Sequence, residues 1–156
     1  MTLFRTITTS LGIALVVIYA VGSGFWVSSG DAWYRSLNTP SWQPPDWVFG
    51  AVWPYNFVVL GIASVLVSQR LSKTSSILWL SFFALSVACA LLWAYQFYVS
   101  HNLGIATIAL ILAAILTLPM LLLSYRVSWW LFLVLAPYQV WLAIAASLSW
   151  GYLHKN

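Results

Sequence analysis

Five apolar runs, each long enough to cross a lipid bilayer and none holding an Asp, Glu, Lys or Arg in its interior, limit what this chain can fold into. A hydrocarbon core of roughly 30 Å needs about twenty helical residues at ~1.5 Å each, and within it only helices or closed barrels satisfy every backbone N–H and C=O. The runs predict helices at about 7–27, 46–68, 77–99, 103–124 and 129–153. The expected fold is an all-α membrane protein, a five-transmembrane-helix bundle forming one domain over residues 1–156. Composition agrees, with 63% hydrophobic and 5% charged residues against roughly 25% charged in a soluble domain. The first run follows Arg5, exceeds a secretory h-region in length and lacks a small-x-small cleavage site before a soluble domain, so it reads as a span.

The net charge of +4 comes from Arg5, Arg35, Arg70, Lys73, Arg126 and Lys155 against Asp31 and Asp46. These residues mark the connections, and no basic stripe points to nucleic acid. Five crossings put Arg5, Arg70, Lys73 and Arg126 on the N-terminal side and Arg35 and Lys155 on the other. The positive-inside rule then places the N-terminus in the cytoplasm if the membrane is the inner membrane of a bacterium; the mitochondrial outer membrane stays open as an alternative.

Catalytic and metal-binding patterns are missing. Cys89 is a lone thiol in an apolar run, and His101 and His154 stand outside the spans with no second ligand at helical spacing, so no metal site is expected. Both carboxylates sit in or beside one loop, which rules out a catalytic dyad or a triad. No ionisable residue lies at membrane depth, an argument against an ion-coupled transporter or pump.

The one long connection, residues 28–45, reads SSGDAWYRSLNTPSWQPP, and its Gly, Asp, Asn and three prolines exclude a continuous helix. Trp33, Tyr34 and Trp42 suggest that it folds back as a lid on the bundle. Pro45 and Asp46 suit the start of the second span. Pro54, Pro119 and Pro137 fall inside the second, fourth and fifth spans, where each frees a carbonyl four residues earlier and favours a bend.

Aromatic stripes run through three spans. Phe49, Trp53 and Phe57 recur at i, i+4 and i+8 beside Asn56, a lone amide that needs partners and should face protein or a cavity. The fifth span aligns Tyr138, Trp141, Ala145 and Leu148, and the third carries Trp93 and Phe97 with Gln96 next to them. Such stripes ordinarily serve packing or interfacial belts. Here Trp53, Trp93 and Trp141 lie well inside their spans, which predicts a shared aromatic pocket suited to a large, flat, apolar ligand. Two looser patterns stand apart: Leu148, Tyr152 and Lys155 fit a permissive cholesterol motif, and Ala84 and Ala88 form a small-xxx-small pair that serves either packing or a dimer seam.

Two segments resemble the tryptophan-rich sensory protein family, which includes the mitochondrial translocator protein. WYRSLNTPSWQPP (33–45), VFGAVW (48–53) and GIA (61–63) are similar to its WYxxLxKPxWxPP, VFGxVW and GxA elements, and PYQVWLAIAASL (137–148) to its PYxxWxxFAxxLN ending. Departures are Thr39 for Lys, Ile144 for Phe, Ser149 for Asn and Ala90 at the place of an Asn in the third span, where Gln96 is the substitute amide. The resemblance implies a five-helix fold, usually a homodimer, whose pocket beneath the first loop binds protoporphyrin IX or haem and, in some members, sterol-like ligands. Carried over by motif, the ligand-binding residues are Tyr34, Trp42, Pro44, Phe49, Trp53, Trp141, Ala145 and Leu148; Phe57 and Trp93 join them from the stripes. The expected role is a membrane receptor or sensor that binds a tetrapyrrole, with no obligatory cofactor. Light-dependent porphyrin breakdown at Trp53 and Trp141, or transport of tetrapyrroles or sterols, is the alternative.

Overall fold

The computed structural model describes residues 2–27 and 31–156, and among them all regular structure is helical. Five long helices form the bundle: α1 (Thr2–Trp26), α3 (Asp46–Arg70), α4 (Lys73–Tyr98), α5 (Leu103–Tyr125) and α6 (Trp129–Lys155). A sixth, α2 (Ala32–Ser36), is a single turn and a half in the α1–α3 connection. Each long helix carries a stretch apolar enough to cross a membrane, so the protein is an integral multi-pass membrane protein.

The helices outrun the apolar stretches at several ends because local polar groups extend them. Ser72 starts α4 and accepts from Ser75 N at 3.2 Å, ahead of the first apolar residue, Ile77. Asn102 and Ser128 do the same for α5 and α6, accepting from Ile105 N at 3.0 Å and Leu131 N at 3.1 Å. Pro45 takes the N-cap position of α3, where its missing N–H costs nothing.

Packing is uneven. The α4–α5 and α5–α6 contacts are extensive, α1 lies on α3 and α4, and α3 meets α6 only lightly. Hydrogen bonds tie the first group together: Trp79 Nε1 donates to Ser124 Oγ at 3.0 Å, Ser86 Oγ to Ala113 O at 3.1 Å, and the Thr107 and Ser149 hydroxyls pair at 3.0 Å. Two of the three helices with internal proline, α5 and α6, belong to it, and the third is α3. Neighbours supply donors beside two of the interrupted turns, with Tyr55 OH on Val134 O at 2.7 Å near Pro137 and Gln139 Nε2 on Ala114 O at 2.9 Å near Pro119.

Asn56 faces protein and is fully buried, but the expectation that its amide finds polar partners is not met: neither side-chain atom has one.

At Gly12 α1 approaches α3 so closely that an added Cβ would lie 2.6 Å from Ser64 Cβ. Gly12→Ala is therefore expected to destabilise the bundle by about 1–3 kcal/mol, and Ser64→Gly in the same chain to restore part of the loss. Unfolding of the detergent-solubilised variants against the parent protein checks both.

Candidate functional site

The lid is positioned by three attachments. In α2, Trp33 stacks face to face on His101 with centroids 3.8 Å apart and planes 11° from parallel, and it also meets the edge of Phe97 at 5.7 Å. His101 holds this place with a left-handed backbone (φ 56°) in the α4–α5 turn. Beyond α2, the chain clasps the end of α6: Asn38 N donates to Asn156 Oδ1 at 2.7 Å, Asn38 Nδ2 to Lys155 O at 3.1 Å, and Asn156 Nδ2 returns to Asn38 O at 3.3 Å. Lys155 Nζ reaches Thr39 O at 3.4 Å, so the position where the resemblance expects a lysine side chain contributes its carbonyl here. Pro40, buried, and Trp42 lie on Gly151, where a Cβ would come within 2.8 Å of each.

Beneath this lid, where α3 and α6 pack lightly, is a cavity of about 70 Å³, which a large ligand enters only as the lid lifts. Its walls come from α3 (Phe49, Trp53), α4 (Trp93, Phe97, Tyr98) and α6 (Trp141, Ala145, Leu148, Ser149, Tyr152), with Val27, Tyr34 and Gln43 from the lid side. The rings meet edge to face: Trp53 and Trp141 at 6.5 Å and 87°, Phe49 and Trp141 at 5.1 Å and 78°. Small Ala145 stands one turn beyond Trp141 and leaves the space open.

Polar atoms gather at the lid end. Tyr152 OH donates to Gln43 Oε1, Gln43 Nε2 donates to Tyr34 OH at 3.4 Å, and the two phenol oxygens are 3.3 Å apart. Burial, and next the hydrogen bond with Tyr152, push the Tyr34 phenol above its usual range, so it stays neutral at physiological pH. Trp93 and Trp141 also line the cavity, and their buried Nε1 donors have no partner. No charged residue is in the lining, and no cluster of metal-ligating side chains occurs among the described residues. The arrangement can stack on and hydrogen-bond to a ligand.

Seven of the ten expected residues line this cavity: Tyr34, Phe49, Trp53, Trp93, Trp141, Ala145 and Leu148. Trp42 lies outside, half exposed, with Nε1 donating to Ser147 Oγ at 3.2 Å. Pro44 is half-buried in the lid, away from the lining, and Phe57 stacks under Trp53 at 5.6 Å in a neighbouring groove with Ala20, Ser23 and Gly24. Gln96 and Ala90 do not reach the cavity, so no amide on α4 serves it; Ser149 does reach it, bonded to Thr107. Val27, Gln43, Phe97, Tyr98, Ser149 and Tyr152 line it without having been on the expected list. Tyr152 was within reach, because Trp141, Ala145, Leu148 and Tyr152 continue one helical face at steps of four, three and four. Leu148 and Tyr152, two members of the permissive cholesterol pattern, face the cavity and are 5% and 4% exposed.

Gly151→Ala is expected to lift Pro40 and Trp42 from α6. Amide hydrogen exchange across residues 37–43 should then speed up roughly tenfold, while exchange in α4 and α5 stays unchanged.

Residues 10–154 match the TspO/MBR family. Over 149 residues the chain is 28% identical to Protein CrtK of Rhodobacter capsulatus, covering 95% of this chain and 93% of that one. It is 30% identical over 152 residues to the Tryptophan-rich protein TspO of Chlorobaculum tepidum, covering 97% and 96% of the two chains. Identity to the human Translocator protein is 31% over 138 residues, covering 87% of this chain and 82% of that protein. A five-helix membrane bundle with its Trp- and Pro-rich lid and an almost end-to-end match place this chain in the TspO/MBR family.

Proposed function

We propose that the protein is a membrane receptor of sensor type that binds a tetrapyrrole such as protoporphyrin IX or haem in the cavity under the lid. The observation that carries this reading is the lining itself: aromatic faces and edges from α3, α4 and α6, no charge, and two indole N–H groups without partners. Ring faces and edges favour a flat π-system over a puckered aliphatic one by roughly 0.5–1.5 kcal/mol per aromatic contact beyond burial. Membership of a family whose relatives are named tryptophan-rich and translocator proteins supports a membrane sensor or translocator role.

The polarity of the cavity orients the ligand. Gln43, Tyr34, Tyr152 and Ser149 lie toward the lid, and Trp53 and Trp141 lie deeper. An amphipathic macrocycle therefore places its polar edge toward the lid and its apolar edge on the tryptophans. No histidine lines the cavity, so haem would be held there by stacking and shape. His101 is spoken for by Trp33 on the far side of α2. Ligand access follows from lid release: the Asn38–Asn156 clasp and the Gln43–Tyr34–Tyr152 ring hold the lid down, and both are exposed or part-exposed hydrogen bonds that water can replace.

Protoporphyrin titrated into the parent protein is expected to quench tryptophan emission with a defined midpoint. Trp53→Ala and Trp141→Ala variants that keep their helical circular dichroism should bind at least about tenfold more weakly, the loss expected from removing a large buried aromatic contact. Unchanged affinity in both variants would sink the assignment.

A further inference from the structure

At the end of the bundle opposite the lid, Phe4 and Arg5 of α1, Ser68 of α3 and the turn Leu71–Ser72–Lys73 into α4 enclose a second, smaller cavity. Two cations line it. The chain's only carboxylates, Asp31 and Asp46, belong to the lid side, so no acidic side chain neutralises them. Lys73 is held over the Phe4 ring at 5.7 Å from its centroid, which anchors the side chain without using the charge in an ion pair.

Backbone and hydroxyl groups add donors to the same place. α4 begins at Lys73, and Ser72 accepts from Ser75 N at 3.2 Å through its side chain and from Ser76 N at 2.9 Å through its carbonyl. The N–H groups of Lys73 and Thr74 have no acceptor within the helix and sit at its positive end. Ser68 lines the cavity at 4% exposure and brings a hydroxyl to it. Ser64, one turn earlier, instead spends its hydroxyl on Leu60 O at 2.8 Å. A guanidinium, an ammonium, a helix start and a serine hydroxyl converge from three helices on a space at the membrane surface.

We propose that this cavity binds a phosphate group, carried by an anionic phospholipid of the leaflet on the N-terminal side. Arg5 and Lys73 supply the charge, Ser68 and the start of α4 the hydrogen bonds, and Phe4 and Leu71 the contact with the glycerol and upper acyl region. Basic pockets between membrane helices recognise lipid phosphates through this combination. The lid cavity takes no part in it, so the two assignments stand or fall separately.

The test is native mass spectrometry of the full-length protein released from nanodiscs of phosphatidylcholine mixed with phosphatidylglycerol, with pure phosphatidylcholine nanodiscs as reference. The parent protein should retain phosphatidylglycerol, and Arg5→Gln/Lys73→Gln should retain roughly thirtyfold less, from about a factor of five for each cation near the surface. Arg126→Gln, on the same face but outside the cavity, should retain it as the parent does. Competition by added inorganic phosphate would extend the site to free phosphate, and no competition would assign it to the lipid; either supports a phosphate site. Equal retention by the parent and the double variant, or equal loss in Arg126→Gln, would overturn the proposal by showing diffuse attraction to a basic face.

Discussion

In a bilayer no water is present to take up a hydrogen bond that the protein leaves open, and every feature of this bundle follows from how that demand is met or left unmet. Backbone groups are satisfied within the helices, including beside the prolines, where Tyr55 and Gln139 lend side-chain donors across to neighbouring carbonyls. Serines and threonines turn back onto their own helix or across to the next, as Ser64, Ser124, Ser86 and Thr107 do. The α4–α5–α6 part of the bundle is knitted this way and forms a rigid scaffold.

The other part is different in kind. Among the described residues, the buried side-chain polar atoms without a hydrogen-bond partner are those of Tyr19, Asn56, Trp93, Tyr138 and Trp141. Trp93 and Trp141 line the lid cavity. Asn56 follows Trp53 by three residues and Tyr138 precedes Trp141 by three, which puts both about one turn below it, and the Tyr19 ring meets Trp53 edge-on at 5.7 Å. Unsatisfied groups are costly in lipid, so their concentration around one cavity marks the region where the fold gives up stability. It also lies beside α3, which meets both α4 and α6 only lightly. A binding site for a flat ligand needs such a gap, and the tightly bonded scaffold on the far side lets the bundle keep one.

Much of the architecture was legible in the residues because hydropathy over about twenty positions is a strong signal. The expected helices at 46–68 and 103–124 became Asp46–Arg70 and Leu103–Tyr125. The larger misses, such as 77–99 against Lys73–Tyr98, lie at polar ends where a cap such as Ser72 extends a helix beyond its apolar stretch. The helix α2 carries no periodic pattern over five residues and is held by Trp33 on His101, a contact no local signal announces. The cavity was legible where aromatic residues repeat along one helix face, as at Phe49 and Trp53. It was not legible where its lining depends on how the lid lands, as at Gln43, or on a polar residue among rings, as at Ser149. Phe57 shares the stripe but drops below the cavity because the stripe runs on past its floor.

The central claim, that a tetrapyrrole sits between the lid and the α3–α6 tryptophans, is tested most directly by the structure of the protein with protoporphyrin IX bound. The account predicts the macrocycle against Trp53 and Trp141, with its polar edge toward Gln43, Tyr34 and Tyr152 and the Pro40–Trp42 segment above it. A macrocycle lodged instead on the outer groove between Ala51, Val140 and Ile144, with the cavity under the lid unchanged, would contradict it.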